Sequence, residues 1–265
     1  MESTQKLFIG ERMVASCCAL YLQRAGHSVT LVDPHPPGSQ TSYGNAAAIA
    51  PYACIPVNHP KLLKSLPSLM FGAERPLSIS PGYALTNLPW LFSFLRYCRR
   101  EQVDQTISAL GALLRHVEDA SLTLFESAGA MDLIRRNGTL YLYSDARTRA
   151  AAQGDISRRR DQGMSITEVG AGEVQDLEPA LSPIFTGGVL YNDGFQLRDP
   201  QQVISRLVKR FAEDGGEVVR DRVQSIEPVA LYQVRAHLCG SSRVFIDVLI
   251  AAGALSTRIG GSVMD

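Results

Sequence analysis

The sequence predicts an α/β fold in which a domain built on a parallel sheet is interrupted by an inserted α+β domain. Two observations predict it. The chain opens with a strand, a tight turn, a helix and a second strand that ends on an acidic residue. A further stretch of helix followed by strand comes much later, and the region between the two mixes long helices with alternating strands.

Hydrophobic pattern and turn residues define the N-terminal elements. We expect a strand over residues 6–9 and a helix over residues 13–25, which Gly26 ends. The stretch SVTLVD, residues 28–33, is rich in β-branched residues and predicts the second strand. A loop rich in Pro, Gly, Ser and Asn follows over residues 34–56.

The middle of the chain is predominantly helical. Residues 61–71 and 83–100 are expected to be helices, and residues 103–128 have apolar side chains at helical spacing over a long segment. The alternating stretch 138–144 predicts a strand, and the polar stretch 146–162 predicts a further helix.

Strands and helices alternate in the last third. Residues 166–181 predict a short strand, a turn and a short helix, and residues 187–191 predict a strand. A helix over 199–216 starts with an aspartate followed by proline, which favour its first turn. A strand region follows over 217–228, and residues 243–256 predict a strand that runs into a turn of small residues.

This order of elements predicts the domain organisation. We expect residues 1–60 and 196–265 to form the parallel-sheet domain, and residues 61–195 to form the inserted domain.

The composition excludes several classes of protein. The 26 Lys and Arg residues balance 26 Asp and Glu residues, so no basic surplus indicates a nucleic acid partner. The cysteines lack C-x-x-C spacing and the histidines lack metal-ligand spacing, so we expect reduced thiols, no metal site and a cytoplasmic protein. No signal peptide pattern is visible, and no apolar run reaches the roughly 18 residues of a membrane span.

The segment 83–100 has two interpretations. It is apolar and aromatic, and Arg96, Arg99 and Arg100 come at its end. This pattern is typical of a helix that lies in a membrane interface, which would make the protein peripheral on the inner face of a bacterial membrane. It is also typical of a buried helix beside a domain junction, which is the commoner use.

The turn after the first strand carries a nucleotide-binding signal. In GERMVA, residues 10–15, Gly10 stands where the chain must turn tightly, and the following helix directs its N-terminus at that turn. Asp33 ends the second strand at a spacing typical of a carboxylate that binds ribose hydroxyls. The alternative is an ordinary βαβ crossover that binds nothing.

Several stretches resemble a known family. In order, ALYLQRAGHSVTLVD, GSQTSYGNAAAIAP, NGTLYLY, DLEPAL, RDPQQV and IAAGALS are similar to landmarks of the FAD-dependent D-amino acid dehydrogenase and D-amino acid oxidase superfamily, above all its bacterial dehydrogenase group. The resemblance implies a Rossmann-like, two-dinucleotide FAD-binding domain interrupted by a substrate domain. It implies oxidation of the CH–NH bond of a D-amino acid or related amine to an imine and then a keto acid. The sequence leaves the electron acceptor open, whether a quinone or another carrier.

The resemblance also implies positions for the cofactor residues. Gly10, Arg12 and Met13 belong to the turn that faces the FAD pyrophosphate, and Asp33 holds the adenosine ribose. The loop that passes the pyrophosphate and flavin contains Ser42, Asn45, Ala46 and Ala47. Val223 is expected where the backbone contacts adenine, and Ala252 and Gly253 are expected in the second strand-end turn. No catalytic residue can be carried over, and His59, Tyr52 and Tyr141 are the polar side chains to inspect.

The sequence departs from the family pattern at the glycine turn. Arg12 replaces the second glycine, and we expect its Cβ to hinder the approach of pyrophosphate to backbone; a guanidinium contact to phosphate is the less favoured alternative. Glu11 adds a negative charge that we expect to be unfavourable there. Ala15 and Ala47 replace two further glycines.

The chain ends at Asp265, whereas members of the resembled family continue. We therefore expect a C-terminally truncated relative whose catalytic residues lie in the missing part. Two hypotheses follow: a FAD-dependent amino-acid or amine dehydrogenase, or a catalytically incompetent relative that keeps the fold and binds FAD weakly. A nicotinamide-dependent dehydrogenase is disfavoured, because GSQTSYGN and AAGALS have no role in one.

Overall fold

The computed structural model describes residues 5–60, 62, 82, 86–253, 256 and 259. The described helices are α1 (Met13–Arg24), α2 (Leu88–Tyr97), α3 (Arg100–Leu114), α4 (Val117–Ser127), α5 (Ala146–Asp161), α6 (Ala171–Leu177) and α7 (Pro200–Glu213). The described strands are β1 (Gln5–Ile9), β2 (Ser28–Val32), β3 (Ala48–Ile49), β4 (Ile134–Arg135), β5 (Thr139–Tyr143), β6 (Ile166–Gly170), β7 (Gly187–Tyr191), β8 (Phe195–Leu197), β9 (Glu217–Val219), β10 (Val223–Ala230), β11 (Gln233–Leu238), β12 (Ser242–Phe245) and β13 (Asp247–Ile250).

A parallel sheet of order β13-β1-β2-β9 confirms the predicted α/β fold class. β1 pairs with β2 from Gln5↔Ser28 to Ile9↔Val32, so the two predicted N-terminal strands are adjacent. On the other side of β1, Ile9 lies opposite Ile250 of β13. The helix α1 connects β1 to β2, as its apolar pattern predicts.

The first compact unit comprises residues 1–48, 119–136 and 196–265. Its helices α1 and α7 pack on each other and on the parallel sheet. Strands β10, β11 and β12 form an antiparallel sheet whose apolar side chains share a core with the parallel sheet. This core contains Leu7, Ile9, Val32, Val223, Ile226, Ala236, Leu238 and Phe245.

Residues 119–136 belong to this first unit, although the sequence analysis assigns them to the inserted domain. Hydrogen bonds from α1 and α7 hold the segment there. The Tyr21 hydroxyl donates to the Ala120 carbonyl at 2.7 Å, and Arg206 donates to Asp132 and to the Gly129 carbonyl. The assignment of a cofactor domain and a substrate domain stays a prediction.

The second compact unit comprises residues 49–118 and 137–195. Its antiparallel sheet has the order β5-β7-β6, with Tyr141 opposite Val189 and Ile166 opposite Tyr191. Tyr52, Ile156, Met164, Val189 and Tyr191 form its main core. The predicted helix over residues 61–71 lies outside the described residues, apart from residue 62.

Two helical segments differ from the prediction. The segment 103–128 is divided into α3 and α4 by a break after Leu114. Within 83–100, helix α2 covers Leu88–Tyr97, α3 begins at Arg100, and residues 83–85 lie outside the described part. No residue of α2 is buried, so the interpretation as a buried helix is wrong for Leu88–Tyr97, although Cys98 directly after it is buried.

Candidate functional site

The candidate site lies at the carboxyl edge of the parallel sheet. Because β1, β2, β9 and β13 run in the same direction, the residues that follow them meet at one edge. Open α/β sheets bind ligands at this edge. A cavity of about 570 Å³ is found there, lined by Ile9, Gly10, Arg12, Val32, Asp33, Pro34, His35, Gln40, Asp221, Arg222, Val223, Gln224, Ala252 and Ile259.

Gly10 makes the turn at the end of β1, and its place suits only glycine. Its φ is +110°, and a Cβ atom there would lie 2.8 Å from the Ala251 carbonyl oxygen. Its N–H donates to the Val32 carbonyl at 2.8 Å. The ends of β1, β2 and β13 therefore lie close together, and Gly10 lines the cavity with backbone alone.

The Asp33 carboxylate is held in a fixed orientation at the end of β2. Its Oδ2 accepts from the Glu11 N–H at 2.9 Å, and its Oδ1 accepts from the His35 N–H at 2.9 Å. Each carboxylate oxygen has a second lone-pair direction. Asp33 lines the cavity and can therefore accept further hydrogen bonds from ligand hydroxyls.

Glu11 does not place its charge in the cavity, contrary to the expectation from sequence. Its side chain is 1 % exposed and is absent from the cavity lining. Its Oε2 lies 2.6 Å from Nη1 of Arg220, which follows β9. Burial raises the pKa of the Glu11 carboxyl, and the Arg220 guanidinium offsets part of that rise. The ion pair joins the turn after β1 to the end of β9.

Arg12 is the N-cap residue of α1 and lines the cavity beside Gly10. Its guanidinium lies against Gly253, where an added Cβ would be 3.2 Å from Arg12 Cζ. Gly253 has a φ of +59°, which suits glycine. Arg12 and the second strand-end turn are thus in contact, as the family resemblance implies for two parts of one site.

The other cofactor residues expected from the resemblance are divided between the cavity and its surroundings. Val223 and Ala252 line the cavity. Met13 starts α1 without lining the cavity. Ser42, Asn45, Ala46 and Ala47 lie in the loop between β2 and β3, outside the cavity lining.

The loop before β3 has a strained backbone at Ala47. Its φ is +56°. The N–H of Ala47 donates to Asn45 Oδ1 at 2.8 Å, and its carbonyl accepts from the Leu197 N–H at 2.8 Å. These bonds hold alanine in a left-handed conformation at the position where the family pattern has glycine.

Sequence reasoning missed several residues of the site. His35, Gln40, Asp221 and Arg222 line the cavity from loops, and Gln224 lines it from the start of β10; none belongs to a motif. Arg220 was missed because nothing near it in the sequence indicates its pairing with Glu11. The signal available was positional, since each follows a strand that ends at the same sheet edge.

The three polar candidates lie in the second unit, where each has structural partners. Tyr52 is buried and stacks on Tyr191 with ring centroids 4.5 Å apart, and Tyr141 meets Tyr191 edge-on at 5.1 Å. His59 Nε2 lies 2.9 Å from Arg158 Nη1. These contacts account for the three side chains as parts of the core and of a charged network.

The described ranges contain neither a cluster of metal ligands nor a membrane-spanning helix. No group of three or more His, Cys, Asp or Glu side chains among these residues could hold a metal ion. No helix in the same part of the chain is long and apolar enough to cross a membrane.

Known proteins are similar to this chain over almost its whole length. A family described as "FAD dependent oxidoreductase" matches residues 9–265. The chain belongs to this family. It is 30 % identical over 270 residues to a D-amino-acid oxidase from Bradyrhizobium diazoefficiens, a match that covers 100 % of the chain and 63 % of that relative.

Solved structures of FAD-dependent oxidoreductases show the same fold. Glycine oxidase from Geobacillus kaustophilus matches with a TM-score of 0.64 at 17 % identity, over 97 % of this chain and 58 % of that one. L-amino acid deaminase from Proteus vulgaris matches with a TM-score of 0.65 at 12 % identity, over 97 % and 55 %. L-α-glycerophosphate oxidase from Mycoplasma pneumoniae, solved with FAD bound, has a TM-score of 0.57 at 14 % identity, over 91 % and 51 %. The chain spans less than two thirds of each of these relatives.

FAD is the cofactor of this family, and the residues of the cavity suit its ADP half. Gly10 offers bare backbone beside the N-terminus of α1, where anions bind. The Asp33 carboxylate is oriented to accept from hydroxyl groups. The cavity thus brings together groups whose chemistry suits a phosphate and a ribose.

Proposed function

We propose that the cavity at the carboxyl edge of the parallel sheet binds the ADP half of FAD, and that the protein is an amino-acid oxidoreductase. The observation that carries the proposal is the meeting of Gly10, Arg12, Asp33, Val223 and Ala252 around one cavity. Five residues expected from the family pattern come from three separate parts of the chain and line the same space.

Each of these residues has a proposed role. The Gly10 turn faces the pyrophosphate, Asp33 accepts from the adenosine ribose, and the backbone at Val223 lies against adenine. Ala252 and Gly253 form the second turn against the cofactor. The loop residues Ser42, Asn45, Ala46 and Ala47, together with Met13, complete the proposed contacts toward the flavin.

The proposed substrate is a D-amino acid or a related amine. When bound, FAD supplies an acceptor for the two electrons and the hydrogen that leave the substrate carbon. The oxidised product is an imine, formed as the nitrogen loses a proton, and water hydrolyses it to a keto acid with release of ammonia or an amine. The choice of a D-amino acid is supported by the 30 % identity to a D-amino-acid oxidase. A quinone or another carrier is the proposed electron acceptor.

The experiment is anaerobic addition of single amino acids to the purified, FAD-loaded protein. Bleaching of the visible flavin bands by D-alanine but not by L-alanine is the expected result. D-proline and glycine extend the test to a secondary amine and an achiral substrate. Bands that stay unchanged with all of these substrates contradict the proposed activity.

A second candidate function is a protein that keeps the fold, lacks catalysis and binds FAD weakly. Arg12 favours it, because a side chain stands where the family has a glycine that admits the pyrophosphate. A colourless purified protein with an FAD dissociation constant well above micromolar supports this candidate, and submicromolar affinity contradicts it.

We also propose a peripheral membrane contact through helix α2, in a protein of the cytoplasm. Trp90 and Phe92 are 59 % and 69 % exposed on this helix. Arg96 lies in its last turn, and Arg99 and Arg100 follow it. Exposed aromatic side chains next to cations suit the interface of an anionic membrane. The five free cysteines support a reducing compartment.

A further inference from the structure

We propose that the Arg12 guanidinium binds the pyrophosphate of the dinucleotide, and so replaces the backbone contact that a glycine at this position permits. The proposal rests on the FAD site proposed above. It assigns Arg12 a charge-based role in recognition, where the sequence alone favours an obstructing role.

The first observation is that Arg12 lines the cavity with an unsatisfied charge. Its side chain is half-buried and borders the cavity beside Gly10 and Ala252. Among the described residues, no carboxylate forms an ion pair with it and no acceptor takes a hydrogen bond from it. A partly desolvated guanidinium without an acidic partner is costly, and an anion in the cavity would remove that cost.

The second observation is the space that the neighbouring turn leaves for this guanidinium. Gly253 has no Cβ, and one added there would meet Arg12. The guanidinium therefore lies against the second strand-end turn, and Arg12 lines the same cavity as Gly10 and Ala252. Both turns belong to the proposed pyrophosphate site, so the cation lies against a group that would contact the phosphates.

The third observation concerns the charges around Arg12. Glu11, its neighbour in sequence, is buried outside the cavity and paired with Arg220 at 2.6 Å, so it does not neutralise Arg12. Asp33 lines the same cavity but forms no ion pair with Arg12, and its oxygens accept from the N–H groups of Glu11 and His35. Asp221 accepts from the N–H groups of Arg222 and Cys239. Arg12 is left available to a ligand anion.

The test is a titration of the purified full chain and its Arg12 variants with FAD, ADP and adenosine. Adenosine has the base and ribose but no phosphate, so it separates loss of the phosphate contact from damage to the site. We expect Arg12→Gln to weaken FAD and ADP about tenfold or more, the effect of losing one charge-assisted hydrogen bond, and to leave adenosine unchanged. Arg12→Lys should retain part of the affinity, since it keeps the charge but not the forked donors.

The matched control is Lys209→Gln, which removes one positive charge from the exposed face of α7. Lys209 is 77 % exposed and lines no part of the cavity. We expect its affinities to stay within twofold of the unaltered chain at the same ionic strength.

Three outcomes overturn the proposal. If Arg12→Gln or Arg12→Gly binds ADP as tightly as the unaltered chain or more tightly, the side chain is neutral or obstructive. If adenosine and ADP weaken by the same factor in Arg12→Gln, the role of Arg12 is structural. If the unaltered chain binds neither FAD nor ADP, both the proposed function and this proposal fail. If the unaltered chain binds them and the Arg12 variants bind them equally well, only the role of Arg12 is contradicted.

Discussion

At the scale of single residues, Ala47 has a backbone conformation that suits glycine better than alanine. Its φ of +56° is left-handed, which costs an L-residue about 1 kcal/mol. Hydrogen bonds on both sides of the residue hold that conformation. We expect Ala47→Gly to raise the free energy of unfolding by about 0.5–1 kcal/mol in urea denaturation.

The neighbouring Ala46 provides the control for this prediction. Its φ is not in the left-handed region, so glycine there relieves no strain. Glycine only raises the conformational entropy of the unfolded chain. Ala46→Gly is expected to lower the free energy of unfolding by about 0.5 kcal/mol. Equal losses in both variants would show that Ala47 carries no strain.

Gly10 and Gly26 allow the effect of backbone strain to be separated from that of a close contact. Both have positive φ, +110° and +88°. A Cβ on Gly10 would meet the Ala251 carbonyl oxygen at 2.8 Å, whereas a Cβ on Gly26 would meet nothing within 4 Å. Gly26→Ala should cost about 1 kcal/mol and Gly10→Ala about 2 kcal/mol or more.

The same two variants also differ in their expected effect on the proposed cofactor site. Gly10→Ala should weaken FAD at least tenfold, and Gly26→Ala should leave FAD binding unchanged, as measured by fluorescence titration of folded protein. Similar FAD affinities in both variants would place the pyrophosphate away from the Gly10 turn.

At the scale of elements, helix α2 is the described helix without a buried residue. We expect the chain to sediment with anionic liposomes at low salt, and Trp90→Ser combined with Phe92→Ser to reduce that binding several-fold. The control is Leu113→Ser on α3, because Leu113 is 67 % exposed but lies outside α2. Complete absence of sedimentation by the unaltered chain would contradict the membrane proposal.

The elements that the sequence predicts well are those with local signals. Helix α7 begins after Asp199, whose side chain accepts from the Gln202 N–H at 2.9 Å, and Pro200 is its first residue, as the capping pattern indicates. Local apolar spacing likewise predicts the β1–α1–β2 unit. Such signals depend on neighbours in the sequence and need no knowledge of the rest of the fold.

Other elements depend on partners far away in the chain. The sequence predicts one strand within residues 243–256, but β12 pairs with β11 and β13 pairs with β1, so the stretch belongs to two sheets. The short strands β4 and β8 exist through their pairing of Ile134 with Leu197. No proline or glycine stands between α3 and α4. The apolar spacing continues across the break, so the sequence does not indicate that the helix ends there.

At the scale of the whole molecule, the fold class and a minority of the cavity-lining residues were within reach of the sequence. Gly10 and Asp33 could be predicted because strand ends and spacing locate them. The Glu11–Arg220 ion pair could not, because it requires β9 to lie next to β2 in the sheet. Among the described residues no carboxylate pairs with Arg12, and this could not be predicted either, because it depends on which carboxylates the fold directs elsewhere.

The central claim is that the cavity at the carboxyl edge of the parallel sheet holds the ADP half of FAD. The most direct test is titration of the purified chain with FAD, followed by fluorescence quenching, with ADP added as competitor. We expect saturable binding at one site per chain, displaced by ADP and weakened by Gly10→Ala. Absence of saturable FAD binding, or binding that ADP does not displace, would contradict it.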